Sequence, residues 1–209
     1  MSGNRKWLLL IPLFIAVVAL AYLIPKVFGG DSGDKSTTVK QSQALETEVA
    51  DLQLQIDAYE EMLKRNPNDL MALRGLGDSY LQKGFVESEG SDVSQPARSY
   101  KAAVDNYRRY LVVKPDDVEV RIDLGLAYSY LEMVDVAVRE LGTATSIAPA
   151  NQRAWHSLGW ILSSAGNTSE ARDAWQRSYS IDPNSAIGKE SKQFLDETAG
   201  IGAAIPQAP

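Results

Sequence analysis

The 209-residue chain contains no cysteine and only one histidine, His156. A disulfide framework, a zinc site built from cysteines and covalent attachment of haem to this chain all require cysteine, so each is excluded. Catalysis by a Ser–His–Asp or Cys–His arrangement would depend on His156 alone, and no nucleophile motif stands beside it. The sequence also lacks a glycine-rich loop that could cradle a phosphate. We therefore expect neither an enzyme nor a protein that carries a metal or a cofactor.

Positive charge is scarce outside the N-terminal end of the chain. Residues 1–30 contain three basic side chains and no acidic one, whereas residues 31–209 contain 18 basic and 27 acidic side chains. Proteins that bind nucleic acids neutralise phosphates with clustered Lys and Arg side chains. The acidic body of this chain therefore predicts that no nucleic acid is among its partners.

An uncharged run of 18 residues, Trp7–Ile24, is the first feature that is present rather than missing. A helix of this length nearly crosses a bilayer core of about 30 Å. Trp7 and Tyr22 lie near the two ends of the run, where such rings prefer the membrane interface. We predict a transmembrane anchor within residues 1–28. A signal peptide cleaved after Ala21 is the alternative, although the apolar run continues past that site.

The basic residues around this run predict its orientation. Arg5 and Lys6 directly precede the run, as basic residues do in export signals. We therefore expect a single-pass protein of the cell membrane with its N-terminus in the cytoplasm and the rest of the chain outside. Lys26, Lys35 and Lys40 follow the run, so the counts of basic residues on its two sides are nearly equal.

A polar linker at 29–38 and a long helix at 39–67 are predicted to follow the anchor. The helix is indicated by apolar residues that recur every three or four positions without an intervening Gly or Pro, namely Leu45, Val49, Leu52, Ile56, Tyr59 and Leu63. This spacing is the heptad pattern of a coiled coil. Two interpretations remain open: the helix forms a homodimerising stalk, or it packs its apolar stripe on the next unit of the chain and caps it.

An internal repeat is the strongest signal in the sequence. Pro115, Pro149 and Pro183 are spaced by 34 residues, and Pro67 precedes Pro115 by 48, which is one period plus an insertion of 14. Once the insertion is subtracted, the same residue types recur at equal distances after these prolines, as the triplets Leu76, Gly77 and Ala103, then Leu124, Gly125 and Ala137, then Leu158, Gly159 and Ala171. Each period therefore encodes the same pair of helices, which must stack on neighbouring pairs to bury its apolar face.

This pattern resembles the tetratricopeptide repeat in its period, its small-residue positions and its helix-ending proline. The resemblance covers 68–183 and implies an all-α fold, a solenoid of three helical hairpins preceded by the transmembrane helix and the long membrane-proximal helix. The insertion at 85–98 falls within the first hairpin, where we expect a flexible surface loop. Residues 184–199 should form a capping helix and 200–209 a loose tail. Ser178 replaces the usual alanine, which predicts weaker packing there.

Proteins with such repeats bind partners through a concave face lined by the first helix of each hairpin. The side chains that we expect on this face are Arg74, Asp78, Ile122, Leu126, Arg153, His156 and Trp160. The paired Lys and Asn residues with which chaperone-type repeats hold a terminal carboxylate are missing from these positions. The apolar members suggest a groove for an extended peptide or an amphipathic helix, unless they pack against the neighbouring repeat. The two arginines are expected to orient an acidic flank of the partner.

One anchor, a long helix and three repeats are typical of a scaffold that brings protein partners together beside a membrane. The architecture is similar to that of the tetratricopeptide subunits of bacterial cytochrome c maturation, which present apocytochrome to a haem lyase. It is also similar to that of translocon-associated and pilus-associated repeat proteins, and the repeats alone do not separate these families. We predict a membrane-anchored adaptor that assembles an envelope complex.

Overall fold

The computed structural model describes residues 35–89 and 95–202. Within these ranges every regular element is an α-helix. The helices of the described part are α1 Lys35–Arg65, α2 Leu70–Ser88, α3 Gln95–Val113, α4 Val118–Tyr130, α5 Val134–Ile147, α6 Gln152–Ser164, α7 Thr168–Ile181 and α8 Ala186–Gly202. Among the described residues, those from Ser42 onward belong to one compact unit.

Several predicted segments fall at or beyond the edges of these ranges. The anchor predicted at Trp7–Ile24 and most of the linker lie outside the described residues. Among the helices that are described, none has a stretch long and apolar enough to cross a membrane. At the other end, α8 continues to Gly202, three residues into the segment predicted to be a loose tail.

The helices from α2 onward pack as three hairpins, α2–α3, α4–α5 and α6–α7. The first helices of the hairpins also contact one another in order, and α6 contacts α8 in the same way. Each hairpin thus meets its neighbours in the chain, which is the architecture of a helical-repeat solenoid. Helix α1 precedes the first hairpin as a single helix, and α8 follows the last one.

The first helix of each hairpin begins at a side-chain cap. Asp69, Asp117 and Asn151 each accept a hydrogen bond from the backbone N–H three residues later, at 3.0, 3.1 and 2.9 Å. Each of them stands two residues after a helix-ending proline. The proline that ends one hairpin and the cap that begins the next therefore form one short connector, which repeats with the period of the sequence.

Two glycines of the repeat permit close packing between the helices of a hairpin, as the sequence predicts. A Cβ atom added at Gly77 would lie 2.3 Å from a ring carbon of Tyr107, and one added at Gly159 would lie 2.6 Å from the ring of Trp175. Both rings are almost fully buried. The glycines therefore make room for the largest side chains of the core.

The first hairpin is longer than the others because it absorbs most of the insertion. Helices α2 and α3 have 19 residues each, against 13 in α4 and 14 in α5. Of the insertion at 85–98, residues 85–88 and 95–98 are helical. The expectation of a flexible loop is wrong for these eight residues.

Aromatic packing explains why the two helices of the first hairpin continue into the insertion. The ring of Phe85 on α2 lies 4.6 Å from that of Tyr130 on α4, in an edge-to-face arrangement. The ring of Tyr100 on α3 stacks on Tyr130 at 4.8 Å. These contacts bury apolar area that an extended surface loop would leave in water, so they stabilise the additional helical turns.

Helix α1 packs its apolar stripe on the first hairpin. Leu52 and Ile56 are 3 % and 0 % exposed, and a Cβ added at Gly75 of α2 would lie 2.4 Å from the ring of Tyr59. Two of the six side chains that would form the seam of a coiled coil are thus buried within one chain, and the other four are half-buried. The structure therefore supports the capping interpretation of this helix over the homodimerising stalk.

Candidate partner-binding face

The face formed by α2, α4 and α6 does not present all of the predicted side chains. Arg74 and Asp78 are exposed, and Leu126 and Trp160 are half-buried. Ile122, however, is 0 % exposed and belongs to the core. Its assignment to the groove is wrong, because the side chain packs in the core, while that of Asp123, one residue later, contacts α6.

The side chain of Asp123 meets Arg153 of α6. One guanidinium nitrogen of Arg153 donates to Asp123, and the other donates to Glu119 at 2.8 Å. Asn151 donates to the second carboxylate oxygen of Glu119 at 2.7 Å. Burial raises the pKa of Asp123, and the neighbouring Asp78 and Glu119 act in the same direction, whereas Arg153 opposes them. Arg153 is thus held by two carboxylates on the adjacent hairpin.

Arg74 on α2 is held less firmly. Its Nε lies 3.8 Å from Oδ2 of Asp78, an ion pair that is too long for a hydrogen bond, and its side chain is 44 % exposed. Burial acts to raise the pKa of Asp117, but hydrogen bonds from Tyr110 and from the backbone, together with the charge of Arg74, lower it. Because carboxylates of this chain already hold Arg153, that residue is not available to orient an acidic partner as predicted; for Arg74 the role stays a prediction.

A hydrogen bond from a buried residue fixes the side chain of Asp78. The buried hydroxyl of Tyr107 donates to its Oδ1 at 2.8 Å. Burial raises the pKa of Tyr107, and the nearby carboxylates add to the shift. The carboxylate of Asp78 is nevertheless 51 % exposed. It is therefore a fixed acceptor that faces the open side of the groove.

Leu126 and Trp160 form the apolar part of the face. Both contact the core and remain half-buried. The ring of Trp160 lies 6.3 Å from that of Tyr130, which belongs to the preceding hairpin. The alternative interpretation, in which Trp160 packs on its neighbour, therefore holds for part of the ring.

His156 lies between α6 and α8 and is not open to the groove. Its Nδ1 is 2.9 Å from Oγ of Ser191, and its Nε2 is 3.3 Å from Oε2 of Glu190. Ser191 donates to Oγ of Ser178 at 2.8 Å, and Ser178 donates to the carbonyl of Gln152 at 3.2 Å. Because each hydroxyl has a single hydrogen, the Ser191 oxygen must accept from His156. Nδ1 therefore carries a hydrogen.

The contact between His156 and Glu190 depends on which of the two groups carries a proton. Their separation fits either an ion pair or a hydrogen bond from a protonated carboxyl group. Burial lowers the pKa of His156 to about 4, and burial raises the pKa of Glu190. Both side chains are 12 % exposed, so burial disfavours the charged form of each.

A glutamate, a histidine and a serine in contact resemble a catalytic triad, but the geometry does not support catalysis. Ser191 is 0 % exposed, so no substrate can reach its oxygen. The ring nitrogens are also reversed, because Nδ1 rather than Nε2 faces the serine. Within the described ranges, no group of three or more His, Asp or Glu side chains could hold a metal ion. The network instead docks α8 on the last hairpin.

Comparisons with known proteins agree with this fold. Residues 122–186 match the family model of the tetratricopeptide repeat. Among solved structures, a thermophilic tetratricopeptide-repeat protein of Thermus thermophilus is similar with a TM-score of 0.59 and 17 % identity, over 67 % of this chain and 71 % of that one. MamA is similar with a TM-score of 0.51 and 19 % identity, over 85 % and 100 %. Residues 122–186 therefore match the predicted repeat, and the described residues have the helical-solenoid fold of these structures.

Curated relatives share the repeats over part of their length. The small glutamine-rich tetratricopeptide repeat-containing protein 2 of Mycosarcoma maydis is 28 % identical over 56 % of this chain and 34 % of its own. The peroxisomal targeting signal receptor of Eremothecium gossypii is 26 % identical over 61 % and 26 %. The chain thus spans about a quarter to a third of these relatives. Like them, it matches the tetratricopeptide repeat, here over residues 122–186.

The sequence contains a signal for the charged contacts that position-by-position analysis missed. Glu119 and Arg153 are 34 residues apart, and so are His156 and Glu190. Residues one period apart occupy the same place in successive hairpins, so complementary partners at this spacing meet across the stack. A search for opposite charges at a spacing of 34 would have found the partner of Arg153.

Proposed function

We propose that this chain is a membrane-anchored adaptor whose concave face holds a segment of another protein. The observation that carries the proposal is the pair of half-buried side chains Leu126 and Trp160, which hold the same place in their hairpins as the fixed carboxylate of Asp78 holds in the first one. Side chains on a rigid helical stack lose little conformational entropy when a partner binds, which favours affinity. The Eremothecium gossypii relative is named as a targeting signal receptor, and recognition of a short segment by this chain would be the same kind of task.

The membrane part of the proposal depends on the sequence. The uncharged run Trp7–Ile24 would place the solenoid beside a bilayer, and Arg5 and Lys6 before it would keep the N-terminus in the cytoplasm. An adaptor on the outer side of the cell membrane would bring partners to an envelope complex. A subunit of cytochrome c maturation that presents apocytochrome would be one such adaptor.

Topology is tested with a single introduced cysteine, because the chain has none of its own. Ser180→Cys lies at an exposed position of α7. In intact cells or spheroplasts, a membrane-impermeant maleimide should label this variant without lysis. Labelling that appears only after lysis would place the solenoid in the cytoplasm.

Partner capture is tested by photo-crosslinking in native membranes. A photoreactive amino acid at position 126 should give discrete protein adducts. The same amino acid at position 105, an exposed site on the second helix of the first hairpin, should not give them. Adducts at position 105 alone, or at neither position, would refute binding at the concave face.

A further inference from the structure

The charges on the concave face do not balance. Arg153 is shared by Glu119 and Asp123, and Arg74 pairs at 3.8 Å with Asp78 while its charge lowers the pKa of Asp117. Each group contains one cation and two carboxylates, so each retains a formal charge of −1. A partner that adds a carboxylate here meets repulsion, whereas a partner that adds a cation relieves it.

The spare acid and the apolar side chains lie in one row. Asp78, Leu126 and Trp160 each stand eleven residues after a helix-ending proline, so they hold the same place in three successive hairpins. The first helices of these hairpins contact one another in order. Along the solenoid the row therefore presents a carboxylate, then a leucine, then a tryptophan.

The acidic end and the apolar end of this row can contact different side chains of a partner. Oδ1 of Asp78 is engaged by Tyr107, while among the described residues Oδ2 has only the long contact to Arg74. An incoming ammonium or guanidinium group can therefore approach Oδ2 without breaking a hydrogen bond. Trp160 and Leu126 offer apolar area that can be buried further by an apolar side chain.

We propose that the concave face binds a protein segment with a Lys or Arg placed over Asp78 and apolar side chains over Leu126 and Trp160. The inference rests on the proposed function and adds to it the charge of the partner and its direction along the solenoid. The cation lies at the first hairpin, and the apolar residues follow towards the third. Chaperone-type repeats, with their Lys and Asn positions for a terminal carboxylate, would select the opposite charge.

The test uses the full-length chain in detergent and three fluorescein-labelled synthetic peptides of equal length. One carries Lys-Lys-Gly-Leu-Ala-Phe-Leu, the second replaces both lysines by glutamates, and the third replaces the apolar residues by serine. The first peptide should bind about tenfold more tightly than the second, since hydrogen bonds to charged groups are strong. Its affinity should fall as salt is raised. Equal affinities for the first two peptides, or no binding of the first, would overturn the proposal.

Two variants separate charge recognition from folding. Asp78→Asn keeps an acceptor for Tyr107 but removes the charge, and it should weaken the lysine peptide about five- to tenfold while leaving the glutamate peptide no weaker. Asp105→Asn makes the same chemical change on the second-helix side and should leave both affinities unchanged. Equal loss in both variants, or no loss with Asp78→Asn, would refute the role of Asp78. If position 126 still crosslinks to protein, the adaptor function stands and only the charge assignment fails.

Discussion

Helices α1 and α8 close the two ends of the solenoid with different kinds of contact. Helix α1 buries apolar side chains such as Ile56, while its polar links to α2 are exposed or only partly buried. Helix α8 also contributes an aromatic contact, in which Phe194 stacks on Trp175 at 4.9 Å. It differs in the buried chain of hydrogen bonds through Ser191 and His156.

The difference matters because the two kinds of contact respond to different changes. Apolar burial depends on contact area and changes little with pH. A buried hydrogen-bond chain requires every donor and acceptor to be matched, and it contains titratable groups. We therefore expect the N-terminal end to be sensitive to the loss of volume, and the C-terminal end to the loss of a single hydroxyl group or to acid.

The largest expected effect on stability comes from removing a buried apolar side chain of α1. Ile56→Ala should lower the free energy of unfolding by about 3 kcal/mol, because a fully buried side chain is replaced by a cavity. The matched control is Leu54→Ala on the same helix, where the side chain is 69 % exposed. Chemical denaturation followed by circular dichroism measures both. Equal effects of the two variants would show that α1 does not cap the first hairpin.

The C-terminal end should be nearly as sensitive to one hydroxyl group. Ser178→Ala removes the acceptor for Ser191 and the donor to Gln152, at a position that is 0 % exposed. Leaving a buried hydroxyl unsatisfied costs about 2 kcal/mol. Ser180→Ala, an exposed change two residues later on α7, is the control. If Ser178→Ala is neutral or stabilising in denaturation, the family's usual alanine is the better residue and the chain of hydrogen bonds contributes nothing.

The two ends also differ in how far the sequence could predict them. The buried stripe of α1 could be predicted from the sequence, because apolar residues at heptad spacing lie on one face of a helix and must be covered. At Ser178 the sequence predicts weaker packing, yet the serine is part of a fully bonded buried network. Whether a buried polar residue is weak or satisfied depends on its partners. The partner Ser191 lies on α8, after the last repeat. No later repeat follows with which its position could be compared in the sequence.

The sequence predicts which helices form the concave face, but not which side chains remain open on it. Of the predicted residues, Asp78 is exposed and Trp160 is half-buried. For α4 the same register selects Ile122, which is buried, whereas Asp123 contacts the neighbouring hairpin. Adjacent positions differ by about 100° around a helix, so their side chains meet different neighbours. A charge partner on the next hairpin favours Asp123, and that preference appears only when two repeats are compared.

Lowering the pH should reduce the free energy of unfolding through the C-terminal network, by less than Ser178→Ala does. The pKa of His156 is lowered to about 4 from 6.5, so its neutral form contributes stability that is present above 6.5 and is lost as pH falls towards 4. The raised pKa of Glu190 acts in the opposite direction, because the folded state takes up its proton first as pH falls. We expect a net loss of roughly 1 kcal/mol in this window, measured by denaturation at a series of pH values.

Two variants divide this pH dependence into its parts. Glu190→Gln removes the opposing group, so stability should fall more steeply between pH 6.5 and 4 than in the unchanged chain. His156→Gln removes the loss itself, so in the same comparison stability should hold or rise as pH falls. Parallel pH profiles for both variants and the unchanged chain would show that the pair does not titrate with folding.

The smallest expected effect is at the polar links of the N-terminal end. The hydroxyl of Tyr80 on α2 donates to Glu60 of α1 at 3.0 Å, and burial together with this carboxylate raises the pKa of Tyr80 to about 12. Tyr80→Phe keeps the ring and removes only the hydrogen bond. Because Glu60 is exposed and can bind water instead, the loss should be about 0.5 kcal/mol. A loss as large as that of Ser178→Ala would mean that polar contacts stabilise both ends equally. The contrast between apolar burial at α1 and buried hydrogen bonds at α8 would then be wrong.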